Sequence, residues 1–140
     1  MDSDQALSRS YPGLTMGALD RKLGIRVLEA APERIVAAMP VVGNTQSFGL
    51  LHGGAFLALA EAVGSWGAVL HAGPGKSVVG VDVNATHHRG ARSGVVTAVS
   101  TPLHRGGTVA TYEVVITDDQ DRRLCTARVT SLIRPLQTAR

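Results

Sequence analysis

A single carboxylate, Glu61, stands in the middle of the most apolar stretch of the chain, Gly53–Ala72. Apart from His71 near the far end, it is the only titratable side chain in that stretch. Ionising a carboxylate among hydrocarbon side chains is costly, and such positions often hold the acids and bases of catalysis. Glu61 is therefore the first candidate for chemistry.

The apolar stretch predicts one long helix, which begins after His52 and which Gly73-Pro74-Gly75 ends. Glu61 lies just over two helical turns after Gly53, hence on roughly the same face, and Ser65 lies one turn further along. Because the helix is apolar on nearly all faces, we expect the rest of the fold to surround it. Gly64 and Gly67 should let another backbone approach closely.

The other elements are strands joined by short turns. Two strands are predicted before the helix and four after it: Ile25–Ala30, Arg34–Met39, Val78–His88, Val95–Pro102, Thr108–Asp118 and Arg123–Ile133. Short turns favour antiparallel neighbours. The sequence therefore predicts an α+β fold, an antiparallel β-sheet wrapped around one long central helix, over residues 24–134. Residues 1–23 would be an N-terminal extension, loose over Met1–Tyr11 with a short helix in Leu14–Leu23, and residues 135–140 a C-terminal tail.

Composition limits the partners. At 140 residues the chain has the length of one domain. Its net charge of +3 is modest, and with only 4% aromatic residues it lacks the basic track and stacking side chains of a nucleic-acid binder.

Cys125 is the only cysteine, which excludes an intramolecular disulfide and favours a small core residue over a nucleophile. No signal peptide is visible, and Glu61 argues against a membrane span. We expect a soluble, cytoplasmic protein.

The residues around the helix start carry a family resemblance. The run Gln46-x-Phe48-Gly49-Leu50-Leu51-His52-Gly53-Gly54, followed by Glu61 and Ser65, resembles the hotdog-fold acyl-CoA thioesterases. The segments that match the 1,4-dihydroxy-2-naphthoyl-CoA and 4-hydroxybenzoyl-CoA branch of that family are Val78–Ala85, His87–Arg92 and Pro102–Gly106. The resemblance covers about residues 24–134 and implies the hotdog fold.

The resemblance also implies catalytic roles. The backbone N–H of Gly53, at the positive end of the helix, would bind the thioester carbonyl oxygen. Glu61 would direct water at the carbonyl as general base, or attack it as nucleophile. Ser65 would hold the water or orient the carboxylate, and Gln46 and His52 would lie beside the reacting group. Plainer alternatives stay open: glycines that permit packing, a Glu paired with an Arg, a serine bonded to the helix backbone, and a histidine that fixes the loop.

Coenzyme A contacts follow from the same resemblance. Its phosphates and amides suit cationic side chains and backbone donors in turns. The residues that match nucleotide-contacting segments of the family are His87, His88, Arg89, Gly90, His104, Arg105, Gly106, Gly107 and Thr108. Any of them could equally be a solvated turn residue. Asp82 and Asn84 share one strand face and could line the acyl pocket or a subunit contact.

The leading hypothesis is hydrolysis of an acyl-CoA to a free acid and CoA, with no metal or redox cofactor. Exposed sheet edges favour a dimer, and the resemblance implies a homotetramer, a dimer of dimers with active sites at subunit interfaces. The alternatives are a hotdog 3-hydroxyacyl-thioester dehydratase or hydratase, and a non-catalytic acyl-CoA-binding module. An aromatic acyl group follows from the matching branch, but a menaquinone precursor, an aromatic degradation product and a medium-chain fatty acyl group all stay open.

Overall fold

One antiparallel sheet and one long helix dominate the protein. The computed structural model describes residues 1–136. Its elements are, in chain order, α1 (Ser3–Ser10), α2 (Ala18–Lys22), β1 (Arg26–Ala31), β2 (Arg34–Pro40), α3 (Gly53–Ala72), β3 (Lys76–His87), β4 (Val95–Arg105), β5 (Val109–Thr117) and β6 (Arg123–Pro135). The strands pair antiparallel in the order β1-β2-β4-β5-β6-β3. The predicted fold class is confirmed. Residues 137–140 of the expected tail lie outside the described residues.

The sheet packs its inner face against α3, which contacts β3, β4, β5 and β6. Leu59 and Val63 of the helix are fully buried in this layer. A side chain at Gly64 would meet Val129, and one at Gly67 would meet the ring of Tyr112, both at 2.7 Å. The two glycines do permit close approach, but the atoms that approach them belong to side chains of β5 and β6 rather than to the expected backbone.

By length and composition alone, α3 could cross a membrane. More than half of its apolar stretch is buried inside the fold, however, as in the core helix of a globular domain. The expectation that the whole helix would be surrounded is wrong for one face, because Glu61 is exposed there beside the partly exposed Ala58, Ala62 and Ser65. A six-stranded sheet covers only one side of a helix.

The N-terminal segment is more ordered than expected. Met1–Tyr11 contains the helix α1, in which the Asp2 carboxylate accepts a hydrogen bond from the Gln5 N–H (2.8 Å). Leu7 is fully buried, and the helix packs against β1. The prediction of a loose segment is wrong. A short helix within Leu14–Leu23 is confirmed, as α2.

The two edges of the sheet differ. At the β1 edge, the Ser3 hydroxyl accepts from the Val27 N–H (2.9 Å), and the Ser10 hydroxyl donates to the Ala30 carbonyl (2.6 Å), so that α1 covers the strand. At the β3 edge, Val79 and Val81 are 52% and 54% exposed. Within residues 1–136 no element covers this second edge.

Candidate active site

The first turn of α3 presents an unused backbone donor. His52 is the N-cap residue, and its Nδ1 accepts a hydrogen bond from the Gly54 N–H (2.8 Å). The Ala55 and Phe56 N–H groups both donate to the His52 carbonyl (2.9 and 3.2 Å). Within residues 1–136 the Gly53 N–H has no acceptor. It is therefore free to bind an external oxygen at the positive end of the helix.

A loop fixes the start of the helix and the side chain of Gln46. The His52 N–H donates to the Asn44 carbonyl (2.9 Å), and the Leu51 N–H donates to the Ala91 carbonyl (2.8 Å). The Gln46 Oε1 accepts from two loop N–H groups, those of Phe48 (2.5 Å) and Leu50 (3.2 Å). Because these bonds occupy the carbonyl end of the Gln46 amide, its NH₂ group remains as the donor.

A groove of about 310 Å³ lies at this helix start. The site residues predicted from the sequence that line it are Gln46, Gly53, His87, His88, Arg89 and Gly90. The His87 imidazole lies beside Gly53, because a Cβ there would be 3.2 Å from its Nε2. Its ring centroid is 5.2 Å from that of Phe56. Glycine at position 53 thus permits the approach of this imidazole beside the free N–H.

Glu61 and Ser65 line a second groove, of about 340 Å³. Its remaining lining residues are Leu19, Asp20, Ala58, Ala62 and Trp66. The Glu61 side chain is exposed at the groove, and its Oε1 lies 3.3 Å from where a Cβ on Gly80 would be. The sequence analysis expected Glu61 to be enclosed by hydrocarbon. The structure instead shows an exposed carboxylate at the edge of a mainly apolar groove.

Gly53 and Glu61 therefore do not share a groove within one chain. Eight residues of helix separate their Cα atoms by about 12 Å along the axis and by about 80° around it. The expectation of roughly the same face holds only loosely. Ser65 lies one further turn from the helix start, on the side of Glu61.

The predicted CoA contacts fall into two groups. His87, Arg89 and Gly90 lie near Gly53, whereas the turn over residues 104–108 lies at the other end of α3, where the His71 Nε2 is 2.8 Å from the Gly106 carbonyl. A 20-residue helix is about 30 Å long. The structure thus does not bring His104, Arg105, Gly106, Gly107 and Thr108 to the Gly53 groove of the same chain.

Asp82 and Asn84 lie on the sheet face away from α3, and His88 borders both that face and the Gly53 groove. Asp82 accepts a hydrogen bond from the Asn84 amide (2.9 Å) on the outer sheet face, which confirms that the two share one face but puts them outside both grooves. The His88 Nε2 is 2.9 Å from the Thr126 hydroxyl. It also borders a groove of about 480 Å³ on the outer face, with Arg123 and Arg128.

Groups with clearly shifted pKa values lie elsewhere. Burial raises the pKa of the Cys125 thiol, which suits a core residue rather than a nucleophile. Burial raises the pKa of Tyr112 to about 12. Backbone hydrogen bonds, from the Met16 N–H to Asp4 and from the Arg122 N–H to Asp118, lower the pKa of each carboxyl. Over residues 1–136, no group of three His, Cys, Asp or Glu side chains is placed to hold a metal ion.

Comparison with known proteins defines the class. The thioesterase superfamily model matches residues 48–125. A curated relative, proofreading thioesterase EntH of Cronobacter turicensis, is 42% identical over 85% of this chain and 88% of its own. The structure of thioesterase HI1161 from Haemophilus influenzae is 37% identical with a TM-score of 0.83, covering 87% of this chain and 86% of that one.

A third relative has been solved as single-site variants. Thioesterase SAV0944 of Staphylococcus aureus, with one glutamine replaced by alanine, is 29% identical with a TM-score of 0.82 and covers 85% of this chain and 100% of its own. A second structure has one glutamate replaced by alanine, with a TM-score of 0.81. The glutamine and the glutamate are fifteen positions apart.

The fold and the matches together identify a hotdog thioesterase. The chain belongs to the thioesterase superfamily and is a thioester hydrolase. The dehydratase and binding-module alternatives are accordingly set aside. Sequence reasoning missed Leu19 and Asp20, which border the Glu61 groove from α2, because the spacing of residues does not reveal where a separate short helix packs.

Proposed function

We propose that this thioester hydrolase cleaves an acyl-CoA to a carboxylic acid and CoA, with Glu61 as the essential carboxylate. The observation that carries the proposal is the free Gly53 N–H at the N-terminus of α3, together with the exposed Glu61 carboxylate beside an apolar groove. The first group suits a developing oxyanion, and the second suits activation of water.

In the proposed reaction the Gly53 N–H binds the thioester carbonyl oxygen. Glu61 takes a proton from water as the water oxygen attacks the carbonyl carbon. The C–S bond then breaks and the CoA sulfur receives the proton. A direct attack by Glu61, giving an anhydride that water then cleaves, uses the same groups. Ser65 would orient the water or the carboxylate, and the Gln46 NH₂ group would contact the thioester.

The spacing of the candidate residues supports this assignment. Gln46 and Glu61 are fifteen positions apart. The glutamine and glutamate replaced in the staphylococcal thioesterase have the same separation. Two polar residue types at one spacing in two related hydrolases are the pair expected if both act on the thioester.

We propose that the complete site is shared between subunits. Gly53 and Glu61 line separate grooves, about 12 Å apart along α3. Pairing of two chains through the uncovered β3 edge would bring the Gly53 groove of one chain to the Glu61 groove of another. It would also allow the turn over residues 104–108 of a partner to reach CoA. A homotetramer built from two such dimers is the proposed assembly.

The acyl group is proposed to be aromatic, as in the dihydroxynaphthoyl-CoA and hydroxybenzoyl-CoA branch. The mainly apolar Glu61 groove supports a hydrophobic acyl group.

A second candidate function is proofreading, the removal of wrong acyl groups from thioesters, because the relative of that name is 42% identical.

Thiol release from a panel of aryl-CoA and alkyl-CoA substrates tests the function. We expect the highest kcat/KM with benzoyl-type substrates, and a loss of about 10²–10⁴-fold in kcat for Glu61→Gln. Similar kcat/KM across the panel would favour proofreading. No thiol release from any acyl-CoA, or unchanged turnover in Glu61→Gln, would contradict the proposal.

A further inference from the structure

The groove beside Glu61 is closed on one side by a segment that lies outside the matched family region. The family model covers residues 48–125, whereas Leu19 and Asp20 belong to α2, in the N-terminal extension. On the opposite side the groove is formed by Ala58, Ala62 and Trp66 of α3. At about 340 Å³ it lies at the small end of the ~300–1,000 Å³ typical of ligand sites, so one wall residue can decide what fits.

The position of α2 is fixed by specific contacts. The Asp20 carboxylate accepts a hydrogen bond from the Gly17 N–H (2.8 Å). Arg21 forms an ion pair with Asp4 of the preceding segment (2.7 Å). The Asn44 amide donates to the Leu23 carbonyl (2.7 Å), which ties the end of this segment to the loop before α3. The first bond caps α2 itself, and the other two hold it against α1 and the loop before α3, so that it forms a positioned wall of the groove.

The two wall residues differ in chemistry. Leu19 is 59% exposed, so its side chain stands at the open side of the groove rather than in the core. The buried Trp66 lies at the same groove. Asp20 adds a second carboxylate to a groove that already contains Glu61. The lining therefore offers apolar contact to an acyl group and repulsion to a negative charge on it.

We propose that α2 selects the acyl group: Leu19 limits its size, and Asp20 excludes acyl groups that carry a carboxylate. The inference rests on the proposed function, in which the acyl group reacts next to Glu61. The substrate class is thus a neutral, hydrophobic acyl thioester. Selection is thus made by α2, which precedes the first strand, as well as by the face of α3 that forms the opposite side of the groove.

Three variants test the two roles by thiol release. We expect Leu19→Trp to lower kcat/KM for naphthoyl-CoA at least 10-fold relative to acetyl-CoA, and Leu19→Ala to shift this ratio the opposite way. Asp20→Asn keeps an acceptor for the Gly17 N–H. It should raise kcat/KM for succinyl-CoA about 10-fold relative to butyryl-CoA, and added salt should reduce the difference between the Asp and Asn forms.

Leu28 on β1 supplies a matched control, because it is 54% exposed and does not line the groove. Leu28→Trp should leave both substrate ratios at the wild-type values. Thermal unfolding verifies that each variant is folded. Equal changes for all substrates, or the same change in Leu28→Trp, would overturn the inference while the proposed function stands. Absence of thiol release by the wild-type protein, or full turnover in Glu61→Gln, would overturn both.

Discussion

His52 is the candidate residue whose contacts within the chain are best defined. Its Nδ1 accepts from the Gly54 N–H and so satisfies one of the free donors at the start of α3. This geometry favours the reading of His52 as the residue that fixes the helix start. It also leaves the neighbouring Gly53 N–H as the donor available to a substrate.

We predict that His52→Ala destabilises the protein by about 1 kcal/mol, because it removes an N-cap acceptor. The corresponding fall in Tm is about 3–5 °C. His52→Asn should restore most of the stability, since asparagine is among the preferred N-cap residues. Thermal unfolding and kcat measured on the same samples check this. If kcat falls 100-fold or more in the stable His52→Asn variant, His52 instead acts on the thioester.

We predict that Tyr112 makes the free energy of unfolding depend on pH in the alkaline range. Its hydroxyl donates toward the carbonyls of Pro32 (2.8 Å) and Gly67 (3.0 Å), and burial raises its pKa to about 12. A raised pKa in the folded state adds stability that is fully present below the unfolded pKa of about 10. That stability is lost as the pH rises from about 10 towards 12.

The matched variant is Tyr112→Phe. At pH 8 it should be less stable by about 1–3 kcal/mol, because the buried Gly67 carbonyl and the part-buried Pro32 carbonyl lose the donor that they share. Between pH 10 and 12 the gap between wild type and variant should narrow, since only the wild type must ionise a buried phenol. Urea unfolding at pH 8, 10 and 11 measures this. A constant gap over that range would contradict the assigned shift.

The burial of Glu61 could not be predicted from its neighbours in the sequence. Adjacent residues of a helix point about 100° apart. Ala60 and Val63 are fully buried, whereas Glu61 between them lies on the face that the sheet does not cover. The apolar run correctly predicted a core helix over Gly53–Ala72, with the observed bounds. Which face stays open depends on the width of the sheet, a tertiary property.

Among the elements, α1 contributes more than its polar sequence indicates. Leu7 is its one fully buried residue, and Ser3 and Ser10 bond to backbone groups of β1. We predict that Leu7→Ala lowers the free energy of unfolding by about 2–5 kcal/mol, because it leaves a cavity under the helix. Urea unfolding checks this. The half-exposed Leu28 gives the control, since Leu28→Ala should cost far less; equal losses would mean that α1 is not docked.

A local signal for α1 was present in the sequence. Asp2 and Gln5 have the spacing of a capping box, and the structure shows both of its hydrogen bonds. The hydrophobic pattern nevertheless predicted no helix here, because Ala6 and Leu7 are the only apolar residues of this segment and do not form an apolar stripe. Helix termini can be read locally, whereas the docking of a short polar helix on a strand depends on residues distant in sequence.

The two edges of the sheet differ in whether another part of the chain covers them. The β1 edge is covered by α1, whereas the β3 edge is long, apolar and uncovered over the described residues. An uncovered edge strand is a template for pairing with another chain. A chain with one uncovered edge strand can pair with one other chain to form a closed dimer. A chain with two uncovered edges could bind a further chain at each edge and form an open-ended array.

The pairing can be tested with a single charge on β3. We predict that Val81→Lys converts the oligomer to smaller species, because lysine on an edge strand opposes strand pairing. Light scattering coupled to size exclusion measures the mass. Thioesterase activity should fall with it, since Gly53 and Glu61 would then lack their partner grooves. Leu28→Lys, at a leucine 54% exposed on β1, serves as the matched control and should change neither quantity. A Val81→Lys protein that keeps the wild-type mass would contradict pairing through β3, and a fully active monomer would show that one chain contains the whole site.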